Sequence, residues 1–344
     1  MWQVLKRFWN RTPVFTYAGL AMQGVALISQ WVPVPYSPYW LWGAGLGSAL
    51  IALDFQRFTG PLQYMAAFLG NTLLALALPY PWLGKVLLAL PALLFFAAAL
   101  TVRQRFLHIL TYTRYLWVEP LLILTGGVLL GLLGQVEGQW PWPAFLAAVG
   151  PVTLSGGYIQ DAPFIARGAA GGYAVKVGDP APDFELPSTR GGTVRLSQFF
   201  PHNPVLLLFV RGDWCPGCHM MLRTYERYKH RFYEKNVVIL GIGPDPLGVN
   251  QAMIERLGVS FHMLSDETFS VIRRYGNRYE NQFLQKTMAG YDIGVPLPAA
   301  YLIDRYGIVQ YISSAEYVGE FLDPHTIFPV LERIEAGEPF AMAV

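Results

Sequence analysis

The chain has 344 residues, of which 53% are hydrophobic and only 14% are charged. An average soluble domain is about 25% charged, so the composition argues against a wholly soluble globular protein. Residues 1–161 contain 12 Lys, Arg, Asp and Glu residues, whereas residues 162–344 contain 36. The first half is therefore predicted to be a membrane domain and the second half a globular domain. The sequence has no basic block or arginine-rich stripe, which argues against a nucleic-acid partner.

Six apolar stretches in the first half are candidates for membrane-spanning helices. They are residues 14–31, 38–53, 62–79, 85–102, 118–134 and 143–159. A span needs roughly 17–25 mostly apolar residues, and the sixth stretch is the weakest because Pro151 interrupts it. Gly43, Gly45 and Gly47 are expected to let neighbouring helices pack closely. We expect an α-helical bundle of about six spans, with the lipid bilayer as its partner.

Basic residues predict the orientation of these spans. Seven Lys or Arg residues lie in the N-terminal tail and the loops on its side, whereas the opposite loops contain only Lys85. The positive-inside rule then places the N-terminus in the cytoplasm, as in a bacterial inner or cell membrane. Six spans would leave the second half cytoplasmic, and five would make it extracytoplasmic. The basic, then apolar N-terminus resembles a signal sequence, but no small-x-small site precedes Trp31, so we expect no cleavage.

The second half alternates short apolar runs with helical patterns. Residues 162–176 are predicted to be a glycine-rich linker, and residues 177–344 the globular domain. Buried strands are predicted at 205–210 and 237–243, where the apolar run is continuous. Further strands are predicted at 261–264, 301–303 and 308–312, and helices at 215–235, 246–257, 267–275 and 324–336. This order predicts an α/β sandwich with a mixed sheet.

The chain has two cysteines, Cys215 and Cys218, in the sequence Cys-Pro-Gly-Cys. They lie directly after a predicted buried strand and open a predicted helix. A helix N-terminus stabilises a thiolate at the first cysteine. The second cysteine is near enough to form an intramolecular disulfide. The pattern predicts thiol–disulfide exchange, with Cys215 as the attacking thiol and Cys218 as the resolving thiol, and it requires no metal or organic cofactor.

Zinc binding and covalent haem attachment are the alternative uses of this pair. Zinc would need two further ligands with suitable spacing, and the remaining histidines show none. The sequence from Cys215 to His219 matches the C-x-x-C-H pattern of haem attachment. That pattern normally occurs in a small helical domain, whereas here it follows a buried strand.

Several ordered motifs in the second half resemble one known family. Residues 211–218 (RGDWCPGC) follow the VLLLFV strand and the lead-in GDPAPDFELP at residues 178–187. Together they resemble the thioredoxin-fold redoxins, most closely the peroxiredoxin-like branch of the alkyl hydroperoxide reductase/thiol-specific antioxidant superfamily. Residues 265–276 and 296–312 resemble the intervening helix of that family and its cis-proline strand with the following hairpin. The resemblance covers about residues 177–338 and does not extend to the membrane half.

This resemblance implies roles for four residues. Cys215 and Cys218 match the redox pair, and Trp214 matches the aromatic residue before it. Pro298 matches the cis-proline that lies against the disulfide. A cis Leu297–Pro298 bond is expected to expose the Leu297 backbone for pairing with an extended thiol partner.

The sequence departs from true peroxiredoxins at two positions. That family places Thr or Ser three residues before the peroxidatic cysteine, where this chain has Gly212, and an Arg where it has Pro298. We therefore expect a membrane-tethered thiol–disulfide oxidoreductase that acts on a protein dithiol or disulfide. The alternatives are a thiol peroxidase that reduces hydroperoxides, and a membrane transporter or scaffold with a regulatory redox-sensor domain. Asp213 and His219 are expected to be solvated at the surface, and the alternative is that they tune the pKa of the cysteines.

Overall fold

The structure is a computed structural model in which the chain forms two compact units, one N-terminal and one C-terminal. It describes residues 8–9, 12–29, 43, 46–47, 49–51, 53–54, 66, 173–279, 292–313 and 323–337. Most of the predicted membrane domain, the predicted linker up to residue 172 and the last residues of the chain lie outside these ranges.

In the N-terminal unit, helix α1 spans Val14–Ser29. Asp54 caps its first turn, since the Asp54 Oδ2 atom accepts both the backbone N–H of Thr16 at 2.7 Å and its hydroxyl at 3.1 Å. Gly19 of α1 lies against Gly47, as was expected for a helix-packing glycine. Of the helices in the described ranges, none combines the length and the apolar character needed to cross a membrane. The predicted spans at 85–102, 118–134 and 143–159 lie wholly outside the described residues.

The C-terminal unit contains the elements that position the two cysteines. Its strands are β1 (Glu185–Pro187), β2 (Thr193–Arg195), β3 (Val205–Phe209), β4 (Val238–Gly243), β5 (His262–Ser265), β6 (Arg278–Tyr279), β7 (Val295–Pro296), β8 (Ala299–Ile303) and β9 (Val309–Ile312). Its helices are α2 (Pro216–Tyr233), α3 (Leu247–Leu257), α4 (Ser270–Tyr275) and α5 (Phe328–Ala336). Short 3-10 turns lie at Leu196–Phe199 and Pro324–Thr326.

Five of these strands form the central sheet, in the order β5-β4-β3-β8-β9. The β3–β4 and β4–β5 pairs are parallel, and the β3–β8 and β8–β9 pairs are antiparallel. The predicted mixed α/β sheet of a thioredoxin-like domain is therefore confirmed. Two separate hairpins, β1–β2 and β6–β7, were not predicted.

Strand β3 occupies the middle of the sheet because all five of its residues are apolar and buried. Sheets with both faces covered favour such continuous apolar runs. Five residues separate the end of β3 from the cap of α2, and the cysteine motif begins at that cap. It thus lies beyond the carboxyl end of a central strand, where α/β sheets commonly form binding sites.

The prediction of a cis Leu297–Pro298 bond is wrong. This bond is trans, and within the described residues only Phe200–Pro201 is cis. Trans is the more stable isomer of an X–Pro bond by about 0.5–1 kcal/mol. The expected exposure of the Leu297 backbone is wrong as well, because Leu297 is buried and its N–H donates to the Asn277 carbonyl at 2.5 Å. The sheet topology supports the thioredoxin-like fold independently of this bond.

Candidate active site

Cys215 is the N-cap residue of α2. Its backbone is extended, with φ −92° and ψ 106°, and its Sγ atom accepts the backbone N–H of Cys218 at 3.3 Å. The first N–H groups of a helix have no partner within the helix, so this sulfur satisfies one of them. Pro216 follows at the first helical position, where a missing N–H costs nothing. The Cys-Pro-Gly-Cys sequence thus produces a helix start with a sulfur atom at its positive end.

The two thiols lie next to each other in the reduced state. The Sγ atoms of Cys215 and Cys218 are 2.8 Å apart, and neither cysteine forms a disulfide. A disulfide has an S–S distance of about 2.05 Å, so when the pair loses two electrons and two protons to a substrate, only a small approach of the two sulfur atoms is needed to form the bond. This geometry allows the pair to alternate between dithiol and disulfide without a rearrangement of α2.

Their surroundings make the two thiols unequal. Cys215 is 5% exposed, whereas Cys218 is fully buried. Burial, followed by the hydrogen bond with Cys215 and the charge on Cys215, raises the pKa of Cys218 well above its usual value. The backbone N–H of Arg211, at 3.3 Å from the Cys218 Sγ atom, acts in the opposite direction but does not offset the burial. Cys218 is therefore a neutral thiol near pH 7, and its S–H donates to Cys215.

Arg211 and Trp214 stack on each other beside the pair. The Arg211 guanidinium carbon lies 4.6 Å from the centroid of the Trp214 ring, and Arg211 is only 2% exposed. Trp214 is partly buried and packs against the hydrophobic core. A guanidinium over an aromatic face is a favourable cation–π contact. Arg211 was not predicted to belong to the site, although its place directly after a predicted buried strand was a signal that could have identified it.

Gly212 shapes the turn that leads to Cys215. Its φ of +136° lies in a region that residues with a side chain rarely adopt, and its carbonyl accepts the Cys215 N–H at 3.2 Å. Glycine adopts this conformation without steric cost. The chain therefore lacks the peroxiredoxin Thr or Ser at a position where the backbone conformation disfavours a residue with a side chain.

The expectation of surface solvation is wrong for His219, whereas Asp213 is partly exposed. His219 is fully buried, and its Nε2 atom lies 3.3 Å from Asp213 Oδ1. Arg256 of α3 also forms an ion pair with Asp213, and the Asp213 side chain is only 26% exposed. Helix α3 covers this side of the turn, which sequence spacing alone does not reveal.

The pKa directions of this cluster follow from burial and from the neighbouring charges. Burial opposes ionisation of Asp213, but His219 and Arg256 together outweigh it and lower the Asp213 pKa. Burial, together with the charges of Arg256 and Arg223, lowers the pKa of His219, although Asp213 acts in the opposite direction. Near pH 7 the cluster therefore contains a carboxylate, a guanidinium and a neutral imidazole.

Pro298 lies at the same end of the sheet as the cysteine turn. It directly precedes Ala299, which pairs with Phe209, the last residue of β3. The Pro298 carbonyl accepts the Tyr173 hydroxyl at 3.5 Å. Within the described part of the chain, no group of three or more His, Cys, Asp or Glu side chains is placed to hold a metal ion.

A mixed α/β sheet with a reduced Cys-x-x-Cys pair at a helix N-terminus defines a thioredoxin-like redoxin. The sequence profile of the AhpC/TSA family matches residues 177–312. The putative peroxiredoxin bcp of Helicobacter pylori is 31% identical over 136 residues, which cover 40% of this chain and 86% of that protein. The chain therefore belongs to the AhpC/TSA family.

Other relatives divide between two activities. Chloroplastic peroxiredoxin Q of Triticum aestivum is 28% identical over 42% of this chain and 62% of its own length, so the match omits more than a third of that protein. The thiol-disulfide oxidoreductase ResA of Geobacillus kaustophilus is 29% identical over 44% of this chain and 77% of its own length. Peroxiredoxins and thiol–disulfide oxidoreductases are enzymes, so the family is one of enzymes.

A solved structure is also similar to the C-terminal part. Peroxidoxin BcpB of Mycobacterium tuberculosis is 24% identical, with a TM-score of 0.39. The match covers 48% of this chain and 99% of that chain.

Proposed function

We propose that the C-terminal unit catalyses thiol–disulfide exchange through Cys215 and Cys218. The observation that carries this proposal is the distance of 2.8 Å between a sulfur at the N-cap of α2 and a buried thiol one helical turn further on. The helix N-terminus favours negative charge on Cys215, whereas Cys218 is held neutral by burial. This inequality assigns the attack to Cys215 and the resolution to Cys218.

The reaction has two displacement steps. The Cys215 thiolate attacks one sulfur of the substrate disulfide, a mixed disulfide forms, and the other substrate sulfur leaves as a thiolate. Cys218 then gives up its proton, and its sulfur attacks Cys215, which releases the second substrate sulfur. The substrate gains two electrons, and the Cys215–Cys218 pair loses two as it becomes a disulfide. A dithiol partner returns the pair to the reduced form by the reverse steps.

Trapping the mixed disulfide tests this assignment. Cys218→Ser removes the resolving thiol, so the full-length protein should accumulate a stable mixed disulfide with a model disulfide-bonded peptide. Cys215→Ser is the matched control, because it keeps one thiol and should trap nothing. Mass spectrometry of the adducts distinguishes the two variants. An adduct on Cys218 in the Cys215→Ser variant, formed as fast as that on Cys215, would contradict the assigned roles.

A thiol peroxidase is the second candidate, because several relatives are named as peroxiredoxins. In that reaction Cys215 attacks a hydroperoxide oxygen, the O–O bond breaks, and a sulfenic acid and an alcohol form. Cys218 then displaces water from the sulfenic acid to give the same disulfide. Peroxide consumption with a dithiol reductant, measured beside reduction of a protein disulfide, ranks the two activities. We expect disulfide reduction to be the faster one, since Gly212 supplies no hydroxyl to the site.

We further propose that the N-terminal half anchors this redoxin to a lipid bilayer. The support is the low charge of residues 1–161 and the six apolar stretches, of which α1 covers most of the first. The full-length chain should sediment with membranes and resist extraction by carbonate. A membrane-impermeant thiol reagent, applied to intact cells, should fail to label Cys215 if six spans return the chain to the cytoplasm. Labelling of intact cells would instead support five spans and an extracytoplasmic redoxin.

A further inference from the structure

A cluster of three side chains that the exchange reaction does not use meets beside the cysteine turn. Asp213 lies in the turn, His219 in the first turn of α2 and Arg256 in the last turn of α3. The Asp213 Oδ1 atom is 3.3 Å from His219 Nε2 and forms an ion pair with the Arg256 guanidinium. The side chains of His219 and Arg256 are 0% and 6% exposed. The cluster is therefore an internal contact among three separate segments of the chain.

This cluster closes a ring of hydrogen bonds around Cys215. The Cys215 N–H donates to the Gly212 carbonyl at 3.2 Å, and the Cys215 carbonyl accepts the His219 N–H at 3.1 Å. The Asp213 N–H donates to Asp245, in the loop before α3, at 2.7 Å. The contact between the Asp213 and His219 side chains thus joins the two ends of the segment that holds Cys215. A shift of Asp213 would move the backbone that places the Cys215 sulfur at the helix N-terminus.

We propose that Asp213 is a positioning residue for the attacking thiol, and that its carboxylate, held by Arg256 and His219, fixes the turn in which Cys215 caps α2. This proposal deepens the proposed thiol–disulfide exchange and rests on it. Asp213 acts through the backbone of the turn and takes no part in the sulfur chemistry.

The charges of the cluster fit a positioning role. Arg256 forms an ion pair with the Asp213 carboxylate and offsets its charge. The His219 Nδ1 atom has no hydrogen-bond partner among the described residues. A proton there would be buried without an acceptor, which favours the neutral tautomer whose Nε2–H donates to Asp213. Arg223 also disfavours a charge on His219, and Asp245 faces the turn from the loop before α3.

A positioning role and a simple charge effect predict different outcomes. If Asp213 and Arg256 acted on Cys215 only through their charges, removal of the negative charge would lower the thiol pKa, and removal of the positive charge would raise it. If the Asp213–Arg256 ion pair acts as one clamp that holds the turn, loss of either partner loosens the turn. Both changes would then withdraw Cys215 from the helix N-terminus and raise its pKa.

The test is the pH profile of Cys215 alkylation by iodoacetamide in the full-length protein carrying Cys218→Ser. Asp213→Asn and Arg256→Gln should each shift the profile to higher pH. Each should slow alkylation near pH 7 about fivefold, which corresponds to the loss of a typical helix N-terminal interaction. The double variant should be no slower than the slower single variant, because one clamp is lost in all three. Asp323→Asn is the matched control, since it removes an aspartate–histidine contact with His325 elsewhere in the fold.

Opposite shifts in the two single variants would overturn the clamp, and so would unchanged profiles. Arg256→Gln keeps the test valid if Asp213→Asn does not fold, and thermal unfolding of each variant identifies that case. If the parent Cys218→Ser protein alkylates no faster than free cysteine, the proposed exchange function fails before any clamp variant is compared.

Discussion

The backbone N–H of Arg211 donates to the Sγ atom of Cys218 at 3.3 Å, and this bond ties the buried thiol of α2 to the chain that leaves β3. This contact gives the buried Cys218 sulfur a hydrogen-bond donor in addition to its contact with Cys215. It also keeps Cys218 in place while Cys215 reacts. Both thiols are buried, but Cys215 retains 5% of its exposure whereas Cys218 is fully enclosed.

We expect Cys218 to resist alkylation in the folded Cys215→Ser variant. Burial is the largest cause of its raised pKa, and burial remains when Cys215 and its hydrogen bond are removed. Iodoacetamide should therefore modify Cys218 slowly near pH 8 and rapidly after unfolding in urea. Cys215 in the Cys218→Ser variant is the internal control and should react quickly. Equal rates in the two folded variants would contradict the proposed inequality of the thiols.

A second prediction concerns stability at mildly acidic pH. The pKa of His219 in the folded protein lies below its usual value, because burial and the charges of Arg256 and Arg223 together outweigh the attraction of Asp213. As the pH falls below the unfolded value of about 6.5, the unfolded chain takes up a proton that the folded chain does not. The contribution of His219 to stability is thus fully present above that pH and is lost as the pH falls toward the folded pKa. The loss has a ceiling of about 1.4 kcal/mol per pH unit for one proton.

Replacement of His219 by Gln should flatten this dependence. The Gln amide retains a donor toward Asp213 but does not titrate. Urea unfolding between about pH 7 and pH 5 should show a smaller fall in the free energy of unfolding for His219→Gln than for the parent. His325→Gln replaces another histidine that contacts an aspartate and serves as the control. A His219→Gln slope as steep as that of the parent would show that another group titrates there.

The central strands were predictable because their sequences are continuous apolar runs. The runs VLLLF in β3 and VILGIG in β4 are too apolar to lie in solvent, and each is followed by a helical pattern. The hairpins β1–β2 and β6–β7 were missed because strands of two or three residues are too short to show alternation.

Parts of the site depend on contacts between segments that are distant in the sequence. The burial of His219 depends on Asp213 and on Arg256 of α3, and no local pattern reports which helix covers the turn. The Leu297–Pro298 isomer was transferred from a resemblance, whereas the bond to Asn277 that occupies the Leu297 N–H lies in the unpredicted β6–β7 region. The cysteine pair was found because its chemistry is local to four residues.

A third prediction concerns Gly212 and its φ of +136°. Gly212→Thr restores the residue type of true peroxiredoxins but forces a β-branched side chain into this conformation. We expect a loss of about 1–3 kcal/mol of stability. Gly217→Ala, in the first turn of α2, is the matched control, because its added Cβ would lie 3.9 Å from the nearest atom, the Cys215 Sγ. Thermal unfolding should place Gly212→Thr clearly below Gly217→Ala.

The peroxidase activity of Gly212→Thr gives a second measurement on the same variant. The strain in the turn should also displace Cys215 from the helix N-terminus, so peroxide consumption should not rise. A variant that is fully stable and consumes peroxide faster would show that Gly212 alone limits peroxidase activity.

The last prediction concerns the N-terminal unit, where α1 contains two glycines in different surroundings. A Cβ on Gly19 would overlap the carbonyl of Gly47 and lie 2.7 Å from the Ile51 Cγ1 atom, whereas a Cβ on Gly24 would meet no atom within 4 Å. Gly19→Ala should therefore separate the packed segments and cost about 1–3 kcal/mol. Gly24→Ala should instead stabilise α1 by up to about 1 kcal/mol, because Ala is the better helix former.

Because Gly19→Ala and Gly24→Ala are expected to change stability in opposite directions, the two variants are a sensitive test of the close glycine contact. Both changes add the same methyl group, so the two variants are matched. The full-length variants should be compared by thermal unfolding in one detergent, with tryptophan fluorescence as the probe. Gly47→Ala should behave like Gly19→Ala, because its Cβ would lie 2.7 Å from the Gly19 carbonyl oxygen. If Gly19→Ala and Gly24→Ala changed the unfolding temperature alike, α1 would not pack through Gly19, and the expectation that small residues bring these segments together would fail.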